Sequence, residues 1–166
     1  MAILQNILLV CAALTTALVA GLFYAYSCSV NPGLGRLSDP EYVTAMQSIN
    51  RAILNPLFFI SFMGAPILLP ISTWLTYGQS TPYRFWLLFG ATVIYLIGVF
   101  GVTVLGNVPL NEELEAFSIQ TASPGEITTQ RVRFEGPWNT LHTIRTIASI
   151  VALLFTIIAC LMSKTD

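Results

Sequence analysis

The 166-residue chain is 55% hydrophobic and only 9% charged, with a formal net charge of -1. Soluble domains carry about 25% charged residues, so this composition excludes a soluble globular fold and points to an integral membrane protein. The near-zero net charge provides no basic surface for a polyanion, and nucleic acid is not an expected partner.

Four apolar stretches are long enough to cross a bilayer, whose ~30 Å core takes about 20 apolar residues as helix. No charged side chain precedes Arg36, which places a first span over about residues 3–29. None lies between Arg51 and Arg84, giving a second span over about 52–77. Arg84 and Glu112 bracket a third over about 85–106, and a fourth covers about 138–162. Backbone groups in lipid must bond within their own segment, and the alternation of barrel strands is absent, so the spans are helices. The first stretch lacks a basic leader and is too long for a signal peptide, so it reads as a mature helix. The expected fold class is all-α. It is a four-transmembrane-helix bundle in one integral membrane domain (residues 1–166), with a long amphipathic extension of the second helix and a polar loop before the fourth.

In chain order, Tyr24 and Tyr26 near the end of the first helix fit an interfacial aromatic belt. Asn31-Pro-Gly-Leu-Gly35 predicts a turn. Ser38-Asp-Pro-Glu41 predicts a helix start, with Asp39 as cap, Pro40 in the first helical position and Glu41 complementing the dipole. That helix is expected to continue into the second span, with Gln47, Arg51 and Asn55 on one stripe and Asn50 beside them. Pro56, Pro66 and Pro70 predict kinks. A short loop, Thr76–Pro82, leads to the third span, where Gly90, Gly98, Gly101 and Gly106 permit close helix approach. In Asn107-Val-Pro-Leu-Asn-Glu-Glu-Leu114 the proline lacks a donor and the asparagines favour caps, so the helix is expected to end within Asn107–Asn111 and a short polar piece to start at Glu112. Phe117–Gln130 reads as a polar loop, with a helix restarting near Glu126 and Gly136-Pro137 kinking or opening the last span. There Trp138, His142, Arg145 and Ser149 fall on one helical face. Arg145 lies one to two turns inside the apolar segment, where an arginine costs at least ~2.5 kcal/mol unless it snorkels or meets polar partners.

Four spans put the start of helix two, the end of helix three and the start of helix four on one side of the membrane. Asn50, Arg51, Asn55, Asn107, Asn111, Glu112, Glu113, His142 and Arg145 therefore share a membrane face. Arg36, Arg51, Arg131 and Arg133 on that face, against Arg84 and Lys164 on the other, orient it to the cytoplasm. Arg145 and Arg51 are candidate anion holders, or pair with Glu112 and Glu113. His142 is a candidate general base, since imidazole ordinarily titrates near neutral pH. Asn50, Asn55, Asn107 and Asn111 either hydrogen-bond a substrate or tie helix ends together, and Trp138, Phe58, Phe59 and Tyr24 are candidate pocket walls. A single histidine excludes a multi-histidine metal or bis-histidine haem site within one chain, and no metal or cofactor is expected. Cys11, Cys28 and Cys160 form no C-x-x-C pair, and no disulfide chemistry is expected.

Three pieces, Ile49-Asn-Arg-Ala-Ile-Leu-Asn-Pro56, Asn107-Val-Pro-Leu-Asn-Glu-Glu-Leu114 and Trp138-x-x-x-His142-x-x-Arg145-Thr146, stand in an order that resembles the anthrone-oxygenase-like family of small four-helix membrane proteins. The resemblance covers nearly the whole chain, and its most specific part is Asn-x-Pro-x-Asn. It implies a cofactor-independent oxygenase that acts on a lipophilic polycyclic aromatic at one membrane face. His142 and Arg145 would then be the catalytic pair, and Arg51, Asn50, Asn55, Asn107, Asn111 and Trp138 would bind substrate. The partners implied are membrane lipid and a lipophilic aromatic small molecule. The alternative reading is a non-catalytic accessory subunit of a membrane protein complex or homo-oligomer, with the polar cluster as glue.

Overall fold

The computed structural model describes residues 2–79 and 81–162. Lys164 of the orientation argument and Ser80 of the Thr76–Pro82 loop lie outside them. All regular structure among the described residues is helical. Helix α1 (Ala2–Ala25) passes through a π-helical turn (Tyr26–Val30) into the short α2 (Asn31–Leu34). Helix α3 (Asp39–Ala52) is followed by α4 (Pro56–Thr76). Helix α5 (Pro82–Ile94) continues through two π-helical stretches, Tyr95–Gly101 and Thr103–Asn107, into α6 (Val108–Ala116), and α7 (Pro124–Leu161) closes the chain. Among the described residues, four helices are long and apolar enough to cross a membrane: Ile3–Leu34, Pro56–Thr76, Pro82–Ala116 and Pro124–Leu161.

The helix ends differ from expectation at several points, mostly through proline. The first helix does not turn at Asn31: Pro32 stands in the first turn of α2, where its missing donor costs nothing, and the chain turns only after Leu34. The third helix does not stop at Asn107. The wide turn ends with the Val108 N–H bonded to the Thr103 carbonyl, and Pro109 then occupies the first turn of α6. Likewise α7 begins at Pro124 and runs through Gly136-Pro137 without a break, so the polar loop shrinks to residues 117–123. Conversely, the amphipathic helix is not an extension of the second span. It ends at Ala52, and the chain re-enters helix at Pro56 with Asn55 as N-cap. Ser38, rather than Asp39, caps α3, in a reciprocal box with Glu41.

Helix α1 packs against α4 and α7, and α5 against α4 and α7. The middle of the bundle is filled by Val19, Phe23, Phe62, Leu69, Tyr95 and Val99. Beyond α5, the two π-helical stretches of the third helix approach α7 closely because of one glycine in each. A Cβ on Gly98 would sit 2.7 Å from the Ala148 Cβ, and one on Gly106 would sit 2.8 Å from Leu141 Cδ1. Helix α3 lies across the end of the bundle with Tyr42, Val43 and Met46 buried against Leu114, Phe134 and Trp138. Gln47 secures it by donating to the carbonyls of Leu114 (2.8 Å) and Phe117 (2.9 Å).

The corner before α3 is held by Arg131. Its guanidinium pairs with Asp39 (3.0 Å) and Glu135 (2.8 Å), donates to the carbonyls of Leu37 and Gly35, and lies 4.5 Å from the centre of the Tyr42 ring. Asp39 also accepts from the Thr128 hydroxyl. That hydrogen bond, and then Arg131, hold the Asp39 carboxyl below the usual carboxylate range.

Candidate functional site

Where α3 crosses the bundle, a cavity of about 90 Å³ lies among α1, α3, α6 and α7 and the π-helical stretch before α6. Its polar wall is made by Tyr26, Asn50, Thr103, Asn111 and Arg145, and its apolar wall includes Phe23, Ile53, Leu54, Phe58 and Trp138.

Two of the three π-helical stretches, Tyr26–Val30 and Thr103–Asn107, contribute to this wall. A π turn inserts one residue into the helical register and so re-aims the side chains after it. At the end of α1 the Asn31 N–H reaches back to the Tyr26 carbonyl, and in the same turn Tyr26 faces the cavity and Ser27 faces α7. In the third helix the wide turn carries Thr103 to the wall and Asn107 into full burial. Asn107 makes no side-chain cap; its Nδ2 donates to the Trp138 carbonyl at 3.3 Å. One turn on, Asn111 Oδ1 accepts the Trp138 indole N–H at 2.8 Å. The Asn-x-Pro-x-Asn segment thus grips Trp138 at its backbone and at its ring.

Trp138 in turn stacks on His142, with centroids 5.0 Å apart and planes within 9°. The Arg145 guanidinium lies 4.4 Å from the centre of Phe23 and 5.0 Å from that of Trp138, within cation–π range. Its Nε and Nη2 approach His142 Nδ1 at 3.3 and 3.2 Å. His142 Nε2 lies 3.2 Å from the Phe23 carbonyl and 3.0 Å from Ser27 Oγ. Arg145 is 8% exposed. Among the described residues it has no ion pair with a carboxylate, and no hydrogen bond from Nη1. Two further polar groups of the wall, Asn50 Nδ2 and Thr103 Oγ1, are buried with no hydrogen-bond partner among the described residues, as is the neighbouring Asn107 Oδ1.

The structure thus brings together Asn50, Asn107, Asn111, Trp138, His142 and Arg145. Two of the other candidates stand apart. Arg51 is exposed and pairs with Glu115 at 2.6 Å, because it lies on the outer side of the last turn of α3, whose inner side carries Ile49 and Asn50 to the cavity. Asn55 caps α4, accepting from the Phe58 N–H at 3.1 Å and donating to the Ala52 carbonyl at 2.8 Å, so the helix break consumes its side chain. Glu112 and Glu113 are exposed and pair with neither arginine among the described residues. Phe58 and Trp138 line the cavity, whereas Tyr24 and Phe59 are exposed. Tyr26, Phe23 and Thr103 escaped sequence reasoning as site residues. Tyr26 has the pattern of a belt tyrosine, and only the π turn directs it inward.

The sequence model of the anthrone oxygenase family matches residues 57–155, more than half of the chain and including Asn107, Asn111, Trp138, His142 and Arg145. No curated protein and no solved structure matches. The chain, with its four apolar helices, is an integral membrane protein and belongs to the anthrone oxygenase family.

Proposed function

We propose that the cavity holds the oxyanion of a lipophilic polycyclic aromatic and that the protein is a cofactor-independent oxygenase of the anthrone type. The observation that carries this reading is Arg145: a buried cation with aromatic faces and an imidazole around it, and no carboxylate paired to it among the described residues. A charge at such depth is stabilised only when something compensates it, and intramembrane charges mark functional sites by default. The groups that accompany it are donors: Asn50 Nδ2 without a partner, Tyr26 on the wall, and Asn111, whose Oδ1 is taken by Trp138 and whose amide protons remain. A donor-rich, cationic, aromatic-walled cavity matches an enolate or phenolate better than any neutral ligand.

An anthrone provides such an anion. Its doubly benzylic carbon gives up a proton, and the charge spreads to the ring oxygen, which Arg145 holds. The carbanion form is electron-rich enough to reduce dioxygen. One oxygen atom bonds to that carbon, the second leaves as water with the two hydrogens of the CH₂, and the carbon becomes the quinone carbonyl. Stabilising charge that develops at a fixed site is commonly the largest catalytic term. The cavity of about 90 Å³ is below the several hundred Å³ usual for a whole ligand of drug size. The oxygen-bearing edge therefore enters first, and the remaining rings extend past Leu54 and Phe58.

The test is dioxygen uptake and quinone formation by purified protein in lipid nanodiscs supplied with a hydroxylated anthrone. Expected is a rate well above autoxidation, reduced about 100-fold or more in Arg145→Met. Wild-type protein that adds nothing to the autoxidation rate, or an Arg145→Met variant that matches wild type, overturns the reading.

A further inference from the structure

The partners of His142 assign a single protonation form to its ring. A guanidinium can only donate, so Nδ1, at 3.2–3.3 Å from Arg145, must present its lone pair. A backbone carbonyl can only accept, so Nε2, at 3.2 Å from the Phe23 oxygen, must carry the proton. The hydroxyls near Nε2 agree. Ser27 Oγ donates to the Phe23 carbonyl (3.1 Å) and Thr146 Oγ1 to the His142 carbonyl (2.7 Å). Their protons are thus spent on backbone, and their oxygens, at 3.0 and 3.4 Å, are left to accept from Nε2.

The groups that face the ring are Phe23, Tyr26 and Ser27 from the first helix and Trp138, Arg145 and Thr146 from α7. No carboxylate pairs with His142 among the described residues. A second proton, on Nδ1, would point at a guanidinium.

We propose that His142 is a neutral Nε2–H imidazole that positions Arg145 and is not the base of the reaction. The ring is clamped by Trp138 on one face and by the Phe23 carbonyl at its tip. Its Nδ1 fixes the guanidinium through Nε and Nη2 and leaves Nη1 for the ligand. The proton of the substrate then passes to water, and the site selects substrates acidic enough to ionise beside Arg145. This role rests on the anion-holding reading of Arg145, whereas the state of the ring can be read without any substrate.

Because the chain has one histidine, histidine-selective ¹⁵N labelling gives one imidazole in the spectrum of the intact protein in nanodiscs. Expected is an Nε2–H, bare-Nδ1 pattern unchanged from pH 5 to pH 9. A ring that titrates within that range, or that carries its proton on Nδ1, overturns the proposal whatever the protein does to anthrones.

Turnover provides the second arm. In His142→Asn the amide oxygen replaces Nδ1 as acceptor, so kcat/KM should stay within about tenfold of wild type. His142→Ala, which frees the guanidinium, should fall by about 100-fold, the cost of misplacing a catalytic group. Loss of a general base costs about 10²–10⁴-fold irrespective of the replacement, so equal loss in both folded variants assigns the base role and refutes positioning. Across anthrones of graded acidity, the rising limb of the kcat/KM pH profile should move with the substrate. A limb fixed at one pH for all of them, and absent from His142→Asn, refutes the proposal as well. If no anthrone is oxidised at all, the proposed function fails, and the spectrum still decides the state of the ring.

Discussion

Helix α7 carries two buried or half-buried arginines whose surroundings are opposite. Arg131 has Asp39, Glu135, the carbonyls of Leu37 and Gly35 and the Tyr42 ring about it. Arg145 has an imidazole nitrogen and the faces of Phe23 and Trp138. Both guanidiniums are held in place, and among the described residues only the first is paired with carboxylates. A cation whose donors and charge are satisfied internally adds stability. One that is fixed but left uncompensated has been placed at the expense of stability, which is the usual mark of a binding or reacting group.

The comparison breaks most sharply if Arg145→Met keeps function. Turnover of an anthrone should fall about 100-fold or more, while thermal stability stays level or rises, by up to about 2 kcal/mol, since an unpaired buried charge has been replaced by an apolar chain. Scanning calorimetry or a detergent-unfolding series on the same preparation checks the second half. Arg131→Met should behave in the reverse sense: a loss of about 2–3 kcal/mol from its charge-assisted hydrogen bonds, with turnover per folded molecule unchanged. If the two variants lose stability alike, the contrast is wrong.

Smaller effects sharpen it. Gly98→Ala forces a Cβ to within 2.7 Å of Ala148. It should cost about 1–3 kcal/mol by overpacking and, by parting the π-helical stretch Tyr95–Gly101 from α7, should lower turnover too. Trp138→Phe removes the indole donor to Asn111. About 1 kcal/mol should be lost, and substrate affinity should weaken more than stability. The smallest effect concerns pH. Asp39 is depressed in the folded protein by Thr128 and then Arg131. Its contribution is therefore present above the unfolded value of about 3.9 and is lost as pH falls through the lower folded value. Unfolding measured between pH 5 and pH 3 should show wild type losing stability and Asp39→Asn losing less. Equal slopes would remove Asp39 from the account.

The spans were legible because a charge is costly in lipid, so the charge-free stretch before Arg36 and the gaps Arg51–Arg84 and Arg84–Glu112 mark out the first three. Helix ends were not, because a proline has the same letter whether it breaks a helix or opens one. Pro109 follows a wide turn and Pro56 a true break, and only the backbone before each distinguishes them. In the site, Trp138, His142 and Arg145 were readable as one helical stripe, and Asn107 and Asn111 as a spaced pair. Tyr26 and Thr103 were not, because a π turn shifts the stripe and leaves no residue signature. Arg51 and Asn55 were drawn in by a helical spacing that the break at residues 53–55 interrupts.

That break has a kinetic consequence. Ile53 and Leu54 form part of the cavity wall, and Leu54 is 66% exposed on the outside of the bundle. On the proposed function, a lipophilic ligand that reaches Arg145 past Leu54 is supplied from the bilayer, and its supply is set by how it distributes between lipid and buffer. Saturation curves taken at different lipid-to-protein ratios should then diverge when plotted against bulk concentration and superimpose when plotted against mole fraction in the bilayer.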